Sequence, residues 1–134
     1  MTDSTVQSLE IREPEGGCGN APRAQIVRDL IVAIQSKDLE HLHQWLSPDV
    51  QWEVVGFQKL DGLNEVSDWV TGARDNISLS FNSILTHGRE ACVDGQVTNI
   101  RQVSVAFSYV FRFASTAKTA KVDAVRAYLV SKPV

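Results

Sequence analysis

Two spacings of apolar residues divide the chain, one of three to four residues in its first half and one of two residues in its second. Asn20 has the chemistry of a helix N-cap, and Pro22 falls in the first turn, where a missing N–H costs nothing. Ile26, Val27, Leu30, Ile31 and Ile34 then form one apolar stripe, with Arg23, Arg28, Asp29 and Gln35 along the other side. Ser36-Lys37-Asp38 breaks that pattern. A short second helix carries Leu39, Leu42 and Leu46, and Pro48 ends it because proline disfavours the helical state of the residue before it. Val50, Trp52 and Val54 alternate with Gln51, Glu53 and Val55 in a half-buried strand closed by Gly56. A third helix starts at Asp61-Gly62 or Asn64, carries Val66, Trp69 and Val70, and runs out near Thr71-Gly72.

The remainder reads as β. Leu79, Phe81, Ser83, Leu85 and His87 alternate with Ser80, Asn82, Ile84 and Thr86. A strand around Ala91–Thr98 pairs with one from Val103 to Phe113, turning near Asn99–Gln102, and Val122–Val130 is the last strand. The run from Val103 has the cleanest period of two: Val103, Val105, Phe107, Tyr109, Phe111 and Phe113 share one face, and Gln102, Ser104, Ser108 and Arg112 the other. Helices first and long antiparallel strands after predict an α+β domain with the helices packed on one sheet face.

Composition narrows the classes of function. At 134 residues the chain fits one domain, and its 43% apolar and 22% charged residues are ordinary for a globular protein. Net charge is −3, and Lys and Arg form no run, so neither nucleic acid nor an anionic membrane is an expected partner. Residues 1–20, with EPEGGCGN among them, read as a disordered or loosely packed tail, and 21–134 as the domain. The start carries four acidic residues and no apolar core of a signal peptide, and no apolar stretch has membrane-spanning length, so a cytoplasmic location is expected. Cys18 and Cys92 lack the spacing of a metal or disulfide framework, and His41 and His43, two apart on a helix, face different ways. No Gly-rich phosphate loop or nucleophile elbow is present, so neither metal nor cofactor is expected.

The order of elements, together with several local strings, resembles the nuclear transport factor 2-like superfamily in its SnoaL-like branch. The strings are Lys37-Asp38-Leu39, Ser47-Pro48-Asp49-Val50-Gln51-Trp52, Leu60-Asp61-Gly62, Thr86-His87-Gly88, Val93-Asp94-Gly95, Phe111-Arg112-Phe113 and Arg126-Ala127-Tyr128, spread over residues 22–131. The resemblance implies a cystatin-like cone, a curved antiparallel sheet wrapped over three N-terminal helices. It implies no single activity, because isomerases, cyclases, dehydratases and noncatalytic modules share the fold. In the isomerase branch a first-helix tyrosine and a late-strand aspartic acid are oxyanion donors, and a first-strand aspartate is the base. Those positions fall here on Leu30, on Tyr109, and on Val54 or Glu53. Ketosteroid isomerase chemistry is therefore not expected.

What remains is a pocket reading. Trp52, Val54, Phe81, Phe111 and Trp69 are the expected apolar walls of a site for a small apolar molecule, and Tyr109 its polar tip, able to donate a hydrogen bond. The plainer alternative for Tyr109 is a core tyrosine whose hydroxyl meets water or a carbonyl. If the site is catalytic, proton transfer on a cyclic or carbonyl compound is the natural class, with His87 or Glu53 as base; strand parity sends Glu53 outward and Val54 inward. The rival reading is a noncatalytic dimerisation or protein-binding domain, using the outer face with Gln102, Ser104, Ser108, Arg126 and Tyr128. A homodimer through that face is expected under either reading.

Overall fold

A computed structural model describes residues 9–17 and 21–132. The chain runs β1 (Glu10–Arg12), α1 (Pro22–Ser36), α2 (Leu39–Trp45), β2 (Leu46–Val54), β3 (Gln58–Asp61), α3 (Leu63–Gly72), β4 (Asn76–His87), β5 (Glu90–Asn99), β6 (Ser104–Phe113) and β7 (Val122–Ser131). The seven strands form one curved sheet in the order β1-β4-β5-β6-β7-β2-β3. The sheet is mixed where an antiparallel one was expected: β1 runs parallel to β4, and β2 runs parallel to β7. The second pairing is open to a parallel arrangement because a helix and four strands, β3 to β6 with α3, lie between β2 and β7 and supply a long crossover.

The helices cover the inner sheet face. Val27, Leu30, Ile31 and Ile34 from α1, with Leu42 from α2 and Val66 and Val70 from α3, join one core with Trp52, Tyr109, Phe111 and Phe113. Asn20 lies outside the described residues; Ala21 occupies the N-cap position with no side-chain cap, and Pro22 sits in the first turn. At the other end Lys37 takes a left-handed conformation (φ 61°) and its N–H closes on Ala33 and Ile34 carbonyls, so α1 stops before Asp38 caps α2. Leu46 begins β2 rather than ending a helix, and β3, too short for a periodic signal, had no counterpart in the sequence reading.

Two details decide which side chains face inward. In β4 the pairing with β5 slips between Phe81 and Ser83, an extra residue that reverses the parity of everything after it. Leu79 and Phe81 are buried, but Leu85 beyond the bulge is 65% exposed. The β5–β6 turn lacks an Asn-Gly pair and is held instead by Asn99, whose Oδ1 accepts from the N–H groups of Arg101 (2.8 Å) and Val103 (3.1 Å). Gln102 there has φ 65°.

Part of the leader expected as a tail belongs to the sheet. Glu10–Arg12 adds to the free edge of β4 opposite Ser78–Ser80, and Leu9 and Ile11 pack on the core. Glu13 pairs with Arg28 on α1; the hydrogen bond from that guanidinium holds the Glu13 carboxyl below the usual carboxylate range. No helix among the described residues is long and apolar enough to cross a membrane.

Candidate functional site

A cavity of about 210 Å³ opens at one end of the cone. Several elements meet there in the same layer. The last turn of α1 brings Ile34 and Gln35, and the end of α3 brings Trp69 and Val70, followed by Ala73 and Arg74. Asn76 opens β4, Val97 and Asn99 close β5, and Val105, Phe107 and Tyr109 come from the near half of β6. Strand alternation puts these last three on one face, where the cavity meets a half-buried Trp69 from the helix side.

Tyr109 is the polar centre of this space and is only 1% exposed. Its ring lies edge-on to Trp52 (centroids 6.0 Å apart) and to Phe107 (5.7 Å), and stacks against Phe111 (6.0 Å). Burial pushes the phenol well above its ordinary pKa, and a hydrogen bond with the Gln35 side chain opposes that rise only in part. Tyr109 is therefore a neutral hydroxyl at any physiological pH. The amide of Gln35 is itself oriented, because Asn76 Nδ2 donates to its Oε1 (3.0 Å) and to its backbone carbonyl (3.1 Å). Gln35 thus meets the phenol with its amide held in place. A hydroxyl at this place can donate or accept a hydrogen bond.

The rim is tied down by Lys37. Its ammonium donates to the carbonyls of Thr71 (3.3 Å) and Ala73 and pairs with Asp75 at 3.0 Å, fastening the end of α1 to the end of α3. Below the cavity wall, Trp52 packs against Trp69 (5.8 Å) and its indole N–H is buried with no hydrogen-bond partner. Such a donor costs about 1–3 kcal/mol while unpaired.

The structure gathers only some of the expected residues. Tyr109 and Trp69 line the cavity, Trp52 lies behind them, and Phe81, Phe111 and Val54 are buried core. Glu53 is on the outer face, registered against Lys59 on β3 and Arg126 on β7, while Val54 is buried on the inner side. His87 was expected on the face of Phe81; the β4 bulge places it on the opposite face, exposed, beside Glu90 on β5. Neither expected base therefore reaches Tyr109. Gln35 and Asn76 were missed. Gln35 follows the apolar stripe of α1 by one residue and reads as solvated, and nothing local in the sequence shows that β4 starts beside it.

Among the described residues no group of three His, Cys, Asp or Glu side chains could hold a metal ion, and no carboxylate or imidazole lines the cavity. The family model of the SnoaL-like domain matches residues 27–129, from the first turns of α1 to the end of β7. The chain belongs to the SnoaL-like family. No curated protein matches this SnoaL-like chain in sequence. Among solved structures it is similar to a candidate ketosteroid isomerase from Kribbella flavida, with 14% identity, a TM-score of 0.69, and coverage of 84% of this chain and 81% of that one. An LEH-like epoxide hydrolase from M. tuberculosis gives 17% identity, a TM-score of 0.65, and coverage of 80% and 77%. A de novo designed protein with a curved β-sheet gives 18%, 0.66, 86% and 88%. At these identities the likeness is one of fold, and a designed protein among the neighbours shows how little activity the SnoaL-like shape itself specifies.

Proposed function

We propose that this SnoaL-like domain binds a small, mostly apolar molecule in the cavity beside Tyr109, and that it binds rather than converts it. The observation that carries the reading is a buried, neutral phenol beside the Gln35 amide, able to donate or accept a hydrogen bond, set among Trp69, Phe107, Val97 and Leu129. Two neighbours are described as an isomerase and an epoxide hydrolase. Proton transfer of an isomerase kind needs a base opposite the donor, and the described lining supplies a donor without a base. The space holds about seven waters at ~30 Å³ each, so the ligand is a single ring or short chain, smaller than occupants of the roughly 300–1,000 Å³ pockets that take drug-sized molecules.

The test is Tyr109→Phe, which keeps the ring and removes the donor. In a thermal-shift and calorimetric screen of small cyclic ketones, phenols and acids, the variant should fold as the parent does. It should bind the best ligand roughly five- to tenfold more weakly, the worth of one hydrogen bond. An unchanged ligand profile removes this reading.

A second observation supports self-association. The outer face exposes Leu85 (65%), Tyr128 (41%) and Val130 (64%) around a groove of about 330 Å³ floored by Ala106 and Ser108. Asp94 and Arg126 stand on the same face, so a two-fold pairing can set the carboxylate of one copy against the guanidinium of the other. We propose a homodimer through this face. Sedimentation of a purely monomeric species at tens of micromolar would exclude it.

A further inference from the structure

The walls of the cavity and its mouth differ in chemistry, and the mouth has a sign. In a chain of net charge −3, the residues lining this site include two cations, Lys37 and Arg74, and no acid among those described. Lys37 is engaged by Asp75, which does not itself line the cavity. Arg74 is exposed at the rim and makes no hydrogen bond or ion pair among the described residues, so the rim keeps one uncompensated positive charge.

The neutral groups do not oppose that charge. Asn99 spends its Oδ1 on the N–H groups of Arg101 and Val103, which leaves its Nδ2 to donate. The Tyr109 hydroxyl is a neutral group that can donate as well as accept. Three of the side-chain groups left available can donate: the Arg74 guanidinium, the Asn99 amide N–H and the Tyr109 hydroxyl. Asn99 Oδ1 already accepts two N–H groups, while Gln35 Oε1 and Asn76 Oδ1 are neutral acceptors that set no charge against Arg74.

A mouth with a positive charge and no carboxylate, set over an apolar chamber, favours a ligand whose polar end is an anion. We infer that the ligand of this site is a small monocarboxylate, its ring or alkyl body between Trp69, Phe107 and Leu129 and its carboxylate at the mouth against Arg74. An ionised carboxylate is acceptor-only, and its planar pair of oxygens matches the guanidinium fork. The amide or alcohol of the same body brings no charge to meet the guanidinium. This inference rests on the small-molecule reading of the cavity and adds the charge of its occupant.

Benzoate, benzamide and benzyl alcohol share a ring and differ at that polar end. Each is titrated into the full chain at low salt, with the backbone and Trp69 indole N–H signals followed by NMR. Benzoate should bind about tenfold more tightly than benzamide, as expected when a hydrogen bond gains a charged partner. Both compounds should move the Trp69 signal. Salt at about 0.5 M should erode the preference. Arg74→Ala, at an exposed position where folding is not at stake, should bring benzoate down to the affinity of benzamide and leave benzamide unchanged. Equal binding of benzoate and benzamide, with Trp69 shifting for both, overturns the carboxylate inference while the cavity reading stands. A preference that survives Arg74→Ala overturns it as well. If none of the three moves Trp69, both readings fall together.

Discussion

The inner face of β6 is one continuous apolar strip with two different ends. Toward Phe111 and Phe113 it is filled: both rings are fully buried, and α1 begins over them. Arg23 from the first turn of α1 lays its guanidinium 3.9 Å from the Phe113 ring centroid and donates to the carbonyls of Ser115 (3.3 Å) and Ala117 (2.9 Å). Toward Val105 and Phe107 the same strip is hollow, because α1 has ended at Ser36 and α3 stops short at Gly72. Strand and period do not change between the two ends. Only the length of the helices above them does. A binding cavity in this fold is thus made by where helices stop, and the polar groups found in it are those that helix ends and strand starts carry with them.

If that contrast is right, the two ends should answer truncation differently. Phe111→Ala removes a fully buried ring from the filled end, where no neighbour can move in, and should cost about 3–5 kcal/mol in urea unfolding. Val105→Ala at the hollow end removes a half-buried side chain already beside open space, and should cost below about 1 kcal/mol. Comparable losses at both sites would mean that the hollow end is as tightly packed as the other.

A reverse change sharpens the contrast, adding an atom beneath Phe107, a ring of the hollow end. Gly95 on β5 lies under the Phe107 ring and opposite the β4 bulge; a Cβ there would press the Ser80 carbonyl and meet the ring edge at 3.0 Å. The obstruction on one side is backbone, which has little freedom to retreat. Gly95→Ala should therefore cost about 1–3 kcal/mol in the same assay, the usual range for overpacking. It should also disturb the Trp69 and Phe107 resonances, since the strain is released most easily into the cavity. A neutral substitution would show that β4 can slide at its bulge.

The elements were legible in the sequence wherever one periodicity ran long enough to be read. Leu30, Ile31 and Ile34 mark α1, and Phe107, Tyr109, Phe111 and Phe113 mark β6; the structure buries all seven. Parity along β2 likewise separated Val54 from Glu53. What the sequence could not show is any break in a period that leaves composition unchanged. The β4 bulge inserts one residue into a run of alternating apolar and polar positions, and Phe81, Ser83, Leu85 and His87 look like one face when they are two. The site was half legible for the same reason. Tyr109 stands out as a phenol in an aromatic row, whereas Gln35 and Asn76 gain their role from being brought together across 41 positions of chain.

The smallest expected effect bears on the chemistry itself. Glu53 and His87 are the carboxylate and imidazole that a proton-transfer reading calls upon, and both lie on the outer side of the sheet. Glu53→Gln and His87→Ala should leave the affinity of any cavity ligand within about twofold and stability within about 0.5 kcal/mol, as for surface changes without a buried partner. The pair also probes the proposed dimer, because Glu53 shares its face with Arg126 and His87 shares its face with Leu85. A change in sedimentation with ligand affinity unmoved would assign these residues to association between copies. A loss of ligand turnover or binding in either variant, with the fold intact, would mean that the outer face reaches the chemistry after all. The division between a binding interior and an associating exterior would then fail.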